Sequence, residues 1–419
     1  MRKKGCLVLV EVVLWGAFVL TMVWLWERWL IPGPHGPILW VGMDFVPYWV
    51  GVRGMLAGQS PYHAATTQLI QATLLGGAPE AGGDPMLFVY PAWIFLVIAP
   101  WALLPLKWAV ALWTGSLLFG ILHLIGALAI RWGGARPGRT SLWAVLLVLG
   151  SLPFLSIAVT KGQLSLLSLG AVFLAIRLIQ NPKPDKGKTR PARTILREIM
   201  AGICLAFAIL KPTLTVPAMA GIMVWAMIER KGYIIAGFAA CMGALTLASW
   251  FAVGNWFPDY LQLLSNTGGA PVLWSLALLA WPWNGLYGCL FIGIGVYAFT
   301  LYIRTRKSAQ WFSAAILVGL ALFPMRWIYD LLLGILVPAE AKQMGRLPSA
   351  SIGIALLAPW GLALFPEPLR WPAMVIGLPL AWAAAWFTLF PPSRGIPTTL
   401  PKSESQANPN RQLPSQGGE

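Results

Sequence analysis

The chain has 419 residues, 58% hydrophobic and only 11% charged, with a net charge of +16. Soluble domains carry roughly 25% charged residues, which excludes a chain that covers its surface against water; the apolar surface must face lipid. In a soluble protein the basic balance would point to nucleic acid. Here it reads as the Lys and Arg excess that membrane proteins keep in cytoplasmic loops, and nucleic acid is not an expected partner.

The first apolar run, 7–26, follows the basic start Arg2-Lys3-Lys4. It reaches the roughly 20 residues needed to span and no small-residue cleavage site follows, so an uncleaved anchor with its amino end in the cytoplasm is expected. Further apolar runs fall at 88–104, 108–130, 141–160, 164–180, 199–210, 213–228, 234–253, 285–303, 311–323, 327–339, 349–365 and 371–390. Many of the 24 Trp flank these runs, Trp24, Trp132, Trp256 and Trp371 among them, as indole rings do at a membrane boundary. Most of the 30 Lys and Arg fall in 1–6, 131–140, 181–198, 229–233, 304–310, 341–348 and the tail. Placing these inside leaves Arg28, Arg53, Lys107, Lys161, Lys211, Arg326 and Arg370 on the outer side. Only one crossing then fits between 7–26 and 141–160. The longer run 108–130 takes it, and 88–104, with Pro91, Pro100 and Pro105, becomes an interfacial or re-entrant segment. The expected architecture is an all-α polytopic membrane protein with about twelve crossings and both termini in the cytoplasm.

Residues 1–391 are expected to form a single integral membrane domain, with an external loop at 27–107. Within that loop Phe45–Leu56 and 65–75 have helical apolar spacing suited to lying in the membrane plane. Residues 392–419, rich in Pro, Ser, Gln and Asn, predict a disordered cytoplasmic tail. The four Cys sit in or beside apolar runs without zinc or redox spacing, and no metal cluster, phosphate loop or dinucleotide fingerprint is present. His123 lies mid-helix and reads as a hydrogen-bonded core histidine; Glu11 lies within reach of the cytoplasmic interface.

Ionisable groups at the outer ends of helices are the candidates for chemistry, because topology does not account for them. Asp44 follows Gly42-Met43 and precedes Phe45. Its ordinary role is a helix N-cap; a carboxylate at a lipid–water boundary also suits a general base. Gly58-Gln59-Ser60-Pro61-Tyr62-His63 reads as a turn, Phe88-Val89-Tyr90-Pro91 as an aromatic anchor, and Lys161-Gly162-Gln163 as a short outer turn. Leu210-Lys211-Pro212 puts a cation at the mouth of a helix pair. Arg326 and Asp330 stand four residues apart, as an intrahelical ion pair would.

Asp44-Phe45 with Tyr48, then Gly58-Gln59-Ser60-Pro61-Tyr62, Tyr90-Pro91, Gly162-Gln163, Ala201-Gly202 with Leu210-Lys211-Pro212, and Tyr329-Asp330-Leu331 occur in that order. The set resembles glycosyltransferase family 87, polyprenyl-phosphate-sugar-dependent enzymes of the GT-C superfamily similar to the mycobacterial phosphatidylinositol mannoside mannosyltransferases. Ala92 stands where a second Pro is usual, and the segment near Tyr329 is less polar than in many relatives. The resemblance implies a GT-C-like fold with in-plane helices in the first external loop, and an inverting hexosyltransferase of the plasma membrane and cell envelope with no cofactor. Its partners would be a polyprenyl-phosphate-sugar donor, with mannose the first candidate, a lipid or glycolipid acceptor, and membrane lipids. Asp44 matches the catalytic carboxylate. Lys211, Arg326, Lys161 and Arg53 are the candidates for binding the donor phosphate. Tyr48, Tyr62, Tyr90, Gln163, Tyr329 and Asp330 are the candidates for lining the sugar and acceptor site. The rival classes are a transporter or flippase of lipid-linked sugars, which would carry inverted repeats and mid-membrane charges, and a non-catalytic scaffold.

Overall fold

The computed structural model describes residues 2–28, 30–33, 36–39, 41–79, 85–133, 137–180, 192–266, 279–306, 308–322, 336, 346–364, 366 and 369–389. The apolar run 327–339, apart from Leu336, and the tail 392–419 lie outside the described residues, as does most of the basic loop 181–198.

The described chain is helical apart from one hairpin. Helix α1 (Arg2–Arg28) is followed by β1 (Leu30–Gly33) and β2 (Gly36–Leu39), antiparallel with Leu30 opposite Leu39. The hairpin was not expected inside the loop. Next come α2 (Phe45–Leu56) and α3 (Ala64–Leu75), then a 3-10 turn (Ala92–Ile94) running into α4 (Phe95–Ala102). Together those last two pieces extend about 16 Å, short of the ~30 Å hydrocarbon thickness of a bilayer. Pro91 and Pro105 flank them and Pro100 lies inside α4. The two amphipathic stretches of the loop are therefore helices, but α2 is not a surface helix. Phe45, Val46, Tyr48, Val50, Val52 and Met55 are all buried, packed with Phe88, Ile94, Ile98 and Val110.

The long helices follow: α5 (Leu106–Gly133), α6 (Pro137–Thr160), α7 (Ser165–Gln180), α8 (Ala192–Ala208), α9 (Pro212–Ile228), α10 (Gly232–Val253), α11 (Phe257–Asn266), α12 (Trp283–Thr305), α13 (Ser308–Leu322), α14 (Arg346–Ala363) and α15 (Arg370–Leu389). By length and apolar composition α5, α10 and α12 are long enough to span a membrane among the described residues. The two parts of α6, Pro137–Leu152 and Phe154–Thr160, meet at 68° at Pro153 and make a fourth if taken as one span. Several others, α7, α9, α13 and α15 among them, contain apolar helices of 10–17 residues. Helix α11 was not expected; its polar Asp259, Gln262, Ser265 and Asn266 kept it out of the apolar runs.

Small residues set the closest helix approach. A Cβ on Gly202 would overlap the Ile234 carbonyl, and one on Gly237 the Ile199 carbonyl, so α8 and α10 meet backbone to backbone. Beside this contact Lys231, at the start of α10, donates to Glu198 of α8 at 2.9 Å, while Glu229 at the end of α9 accepts from Tyr302 at 2.5 Å and from Arg306 at 3.3 Å. His123 corrects the expectation of a core histidine. Its Nδ1 lies 2.9 Å from the Phe119 carbonyl, but the side chain is 52% exposed and its Nε2 is 3.7 Å from Glu11.

Because successive helices alternate in direction, residues 41–44, the start of α5, the turn after α6, the break between α8 and α9, and α11 gather at one end of the bundle. Lys211 and Glu229, at opposite ends of α9, are separated by about 25 Å of helix. We expect Gly237→Ala to destabilise the protein by about 1–3 kcal/mol through forced separation of α8 and α10. Gly243→Ala, on the same helix with open space around its Cβ, should be neutral or stabilising by up to about 1 kcal/mol. Thermal unfolding of the two variants in detergent checks the contrast.

Candidate functional site

The segment 42–44 is strapped to the turn that follows α6. Gly42 N donates to the Thr160 carbonyl at 2.6 Å and Asp44 N to the Lys161 carbonyl at 3.0 Å. Gly42 has φ +78°, and a Cβ there would drive into Val110, so only glycine fits the strap. Opposite it Gly162 has φ +75° and would place a Cβ 2.9 Å from that of Phe45. The Gly162 carbonyl accepts from Trp113 Nε1 at 2.8 Å, and the Trp113 ring stacks on Phe45 at 5.4 Å between centroids. Gln163 N closes the turn on the Ala158 carbonyl at 2.8 Å.

Asp44 occupies the N-cap position of α2, but its side chain makes no capping hydrogen bond. Its Oδ2 instead accepts from Gln163 Nε2. The other end of that amide, Oε1, accepts from Lys211 Nζ at 3.2 Å, and the same ammonium donates to Ser165 Oγ at 2.7 Å. An ammonium can only donate, so it fixes which end of the Gln163 amide faces Asp44. Gln163 and Ser165 are 1% and 2% exposed and Lys211 5%. Lys211 stands at the break between α8 and α9, where Pro212 opens α9 with the fixed φ that suits a first helical position. Thr215 Oγ1 bridges the break, donating to the Ala208 carbonyl at 2.7 Å.

On the other flank Tyr48, one turn after Asp44, donates from its hydroxyl to the Tyr90 hydroxyl at 2.9 Å, and the rings meet edge to face. Tyr62 donates to the Tyr90 carbonyl at 2.8 Å. Burial, then neighbouring Tyr90, then the negative charge of Asp44 push the Tyr48 phenol well above its ordinary value of 10.0. Burial foremost, with Tyr260 next, pushes Tyr62 upward too. Tyr62 also packs against Phe88, Trp256 and Tyr260.

A family model described as glycosyltransferase family 87 matches residues 88–324, more than half of the chain. The chain belongs to glycosyltransferase family 87. No curated protein and no solved structure matches it. The matched stretch holds Tyr90, Lys161, Gln163 and Lys211. In this family 87 chain Asp44, Tyr48, Arg53 and Tyr62 precede that stretch, and tertiary contact alone brings Asp44, Tyr48 and Tyr62 to it.

The expected residues thus divide. Asp44, Gln163 and Lys211 form one hydrogen-bonded chain, and Tyr48, Tyr90 and Tyr62 form a second beside it. Lys161 is half-buried on the turn that holds Asp44. Arg53 lies nine residues along α2, about 13 Å from Asp44 by helix rise, exposed and stacked over Trp49 at 4.6 Å. Arg326, Tyr329 and Asp330 lie outside the described residues. Three participants were not expected. Ser165 gives no sequence signal beyond standing two residues after Gln163. Trp113 looks like any aromatic of a spanning helix. Asp259, an acid at the same end of the bundle, accepts from Ser60 Oγ at 3.2 Å and lies 3.8 Å from His63 Nε2, tying the Ser60–His63 turn to α11; its outer position was the available clue.

With the Tyr48 and Tyr62 phenols raised, the unfolded chain releases their protons near 10.0 while the folded chain holds them to higher pH. Their contribution is fully present below that value and falls as pH rises through it. We expect the melting temperature to be insensitive to these groups at neutral pH and to drop above pH 10.0, with a smaller drop in Tyr48→Phe; melting curves against pH test this.

Proposed function

We propose that this membrane glycosyltransferase moves a hexose, with mannose the first candidate, from a polyprenyl phosphate to a hydroxyl of a lipid or glycan acceptor. The observation that carries the reading is the Asp44 carboxylate. It sits at a helix start where a carboxylate ordinarily caps, but the Gly42 carbonyl takes the N–H groups of Phe45 and Val46 and Pro47 has none, so the carboxylate makes no cap and is held by the Gln163 amide with a lysine ammonium behind it.

In this reading Asp44 takes the proton of the acceptor hydroxyl as that oxygen attacks the anomeric carbon. The bond from carbon to phosphate oxygen breaks in the same displacement, polyprenyl phosphate leaves, and the anomeric centre inverts. Positive charge near the leaving phosphate lowers the barrier. Lys161 is the described candidate for direct contact, being half-buried on the turn beside Asp44. Lys211 acts through its field, since its ammonium already donates to Gln163 and Ser165. Arg53, exposed farther along α2, is the more distant choice; Arg326 remains a candidate from the sequence, and Tyr48, Tyr62, Tyr90, Tyr329 and Asp330 remain the candidates for sugar and acceptor contact.

The same reading takes the chain as a multi-pass protein of GT-C type with about twelve crossings and cytoplasmic termini in the plasma membrane. The uneven charge supports it. Arg131, Arg139, Arg177, Arg197, Lys231 and Arg304 lie at the end of the bundle opposite Asp44, a distribution that by the positive-inside rule supports a site facing the outer side. Family membership lends no weight to the transporter alternative.

Purified protein incubated with a panel of polyprenyl-phosphate sugars and lipid acceptors should release polyprenyl phosphate. Asp44→Asn should lower the rate by roughly 10²–10⁴-fold with the melting temperature unchanged. An Asn variant that keeps near-full turnover overturns the base assignment.

A further inference from the structure

We propose that Ser60, His63 and Asp259 form a subsite for the sugar headgroup of the acceptor, so that the acceptor is a lipid-anchored sugar and not a bare lipid alcohol. This deepens the proposed transfer and rests on the reading of Asp44 as its base.

Position and chemistry carry it together. Asp259 stands in the first turn of α11. Among the described side chains, Asp44 and Asp259 are the carboxylates at that end of the bundle, Glu11 lying partway along α1 and Glu198 and Glu229 at the other end. Topology does not account for an acid there, since Asp and Glu contribute little to orientation. Its Oδ2 accepts from Ser60 Oγ at 3.2 Å and lies 3.8 Å from His63 Nε2, while the His63 and Asp259 side chains are 67% and 43% exposed. One accessible patch thus presents a carboxylate that accepts, a hydroxyl that donates and accepts, and an imidazole that can do either. That set matches the neighbouring hydroxyls of a sugar ring, each both donor and acceptor. A hydrocarbon chain offers it nothing to bond.

The patch is rigid, and it lies beside the proposed reaction centre. Thr66 Oγ1 donates to the Ser60 carbonyl at 3.2 Å and Gln59 N to the Gly54 carbonyl at 2.9 Å, which fixes the turn. Tyr62, between Ser60 and His63, packs on Tyr260 at 5.6 Å between centroids, and Trp256 Nε1 donates to Ser249 Oγ at 3.1 Å, which fastens the start of α11 to α10. From Tyr62 two hydrogen bonds lead through Tyr90 to Tyr48, one turn from Asp44. An acceptor that meets both Asp44 and Asp259 must carry polar groups over more than a single hydroxyl, as a sugar headgroup does. The opposite face of α11 presents Phe257 and Leu261, 50% and 49% exposed, an apolar stripe suited to the membrane boundary. A sugar held on the Asp259 side therefore stands where its lipid anchor reaches the bilayer.

The test compares octyl α-mannoside with octanol as acceptors for the full chain in lipid nanodiscs, with polyprenyl-phosphate mannose as donor. We expect kcat/KM to favour octyl mannoside by roughly tenfold or more, and Asp259→Asn to lower that preference by roughly tenfold, the weight of a hydrogen bond to a charged group. The loss should fall on the KM for octyl mannoside, with donor KM within about threefold. His63→Ala, which removes an exposed ring, should lower the preference by roughly threefold and serves if the Asp259 variant does not fold. Quenching of tryptophan fluorescence by octyl mannoside repeats the comparison without turnover; the Asp259 variant should bind more weakly than the wild type, and Asp44→Asn should bind as the wild type does. A wild-type chain without the preference, or folded variants that lose both acceptors equally and bind octyl mannoside as the wild type does, overturn the subsite and leave Ser60, His63 and Asp259 a structural tie. If Asp44→Asn is inactive on both acceptors while the preference is absent, only the subsite fails. If Asp44→Asn is active, the base reading itself fails.

Discussion

An ammonium buried against apolar helices is costly unless its protons are accepted. Lys211 meets that demand by donating to Gln163 and Ser165, and the rest of the site follows. With Oε1 turned to the ammonium, the Gln163 amide has only its N–H groups left for Asp44. The carboxylate is then held by a side chain from the turn between α6 and α7, while the Gly42 carbonyl takes the N–H groups of Phe45 and Val46 that a capping side chain would otherwise meet. Three segments, the start of α2, that turn and the break before α9, become one polar unit in an apolar surround.

That unit depends on backbone geometry that side chains merely trim. The strap from Gly42 and Asp44 to Thr160 and Lys161 fixes where α2 begins, and the Phe45–Trp113 stack fixes its rotation. Further out, Tyr48, Tyr90 and Tyr62 relay hydrogen bonds from the carboxylate's flank to the Ser60–His63 turn, and Asp259 fastens that turn to α11. The first loop is thus a buried layer of the bundle, which is why a carboxylate ahead of the family-matched stretch meets a glutamine and a lysine within it.

Much of the helical plan was legible because the chain's apolar runs are long and its punctuation is strong. Pro105, Pro137 and Pro212 stand at or beside helix starts where the composition changes. The hairpin at 30–39 was not legible, since Leu-Ile-Pro-Gly and Gly-Pro-Ile-Leu are too short to show alternation. Helix α11 was not legible because its polar residues hide an apolar face. The burial of α2 was not legible either, because an amphipathic period says that one face is apolar but not what covers the other.

The sequence by itself determined that this chain is a membrane-embedded helical protein, since 11% charge cannot solvate a surface of that size in water. It also singled out Asp44, Gln163 and Lys211, because polar groups at helix mouths stand out against apolar runs. Only the tertiary structure decided what they do to one another. Asp44 and Gln163 are 119 residues apart and Gln163 and Lys211 48, and no periodicity reaches across such separations. That Asp44 has no N–H of its own helix to cap follows locally from Pro47 and the Gly42 turn; that it answers to the Gln163 amide is settled by which donor the packed helices bring within reach.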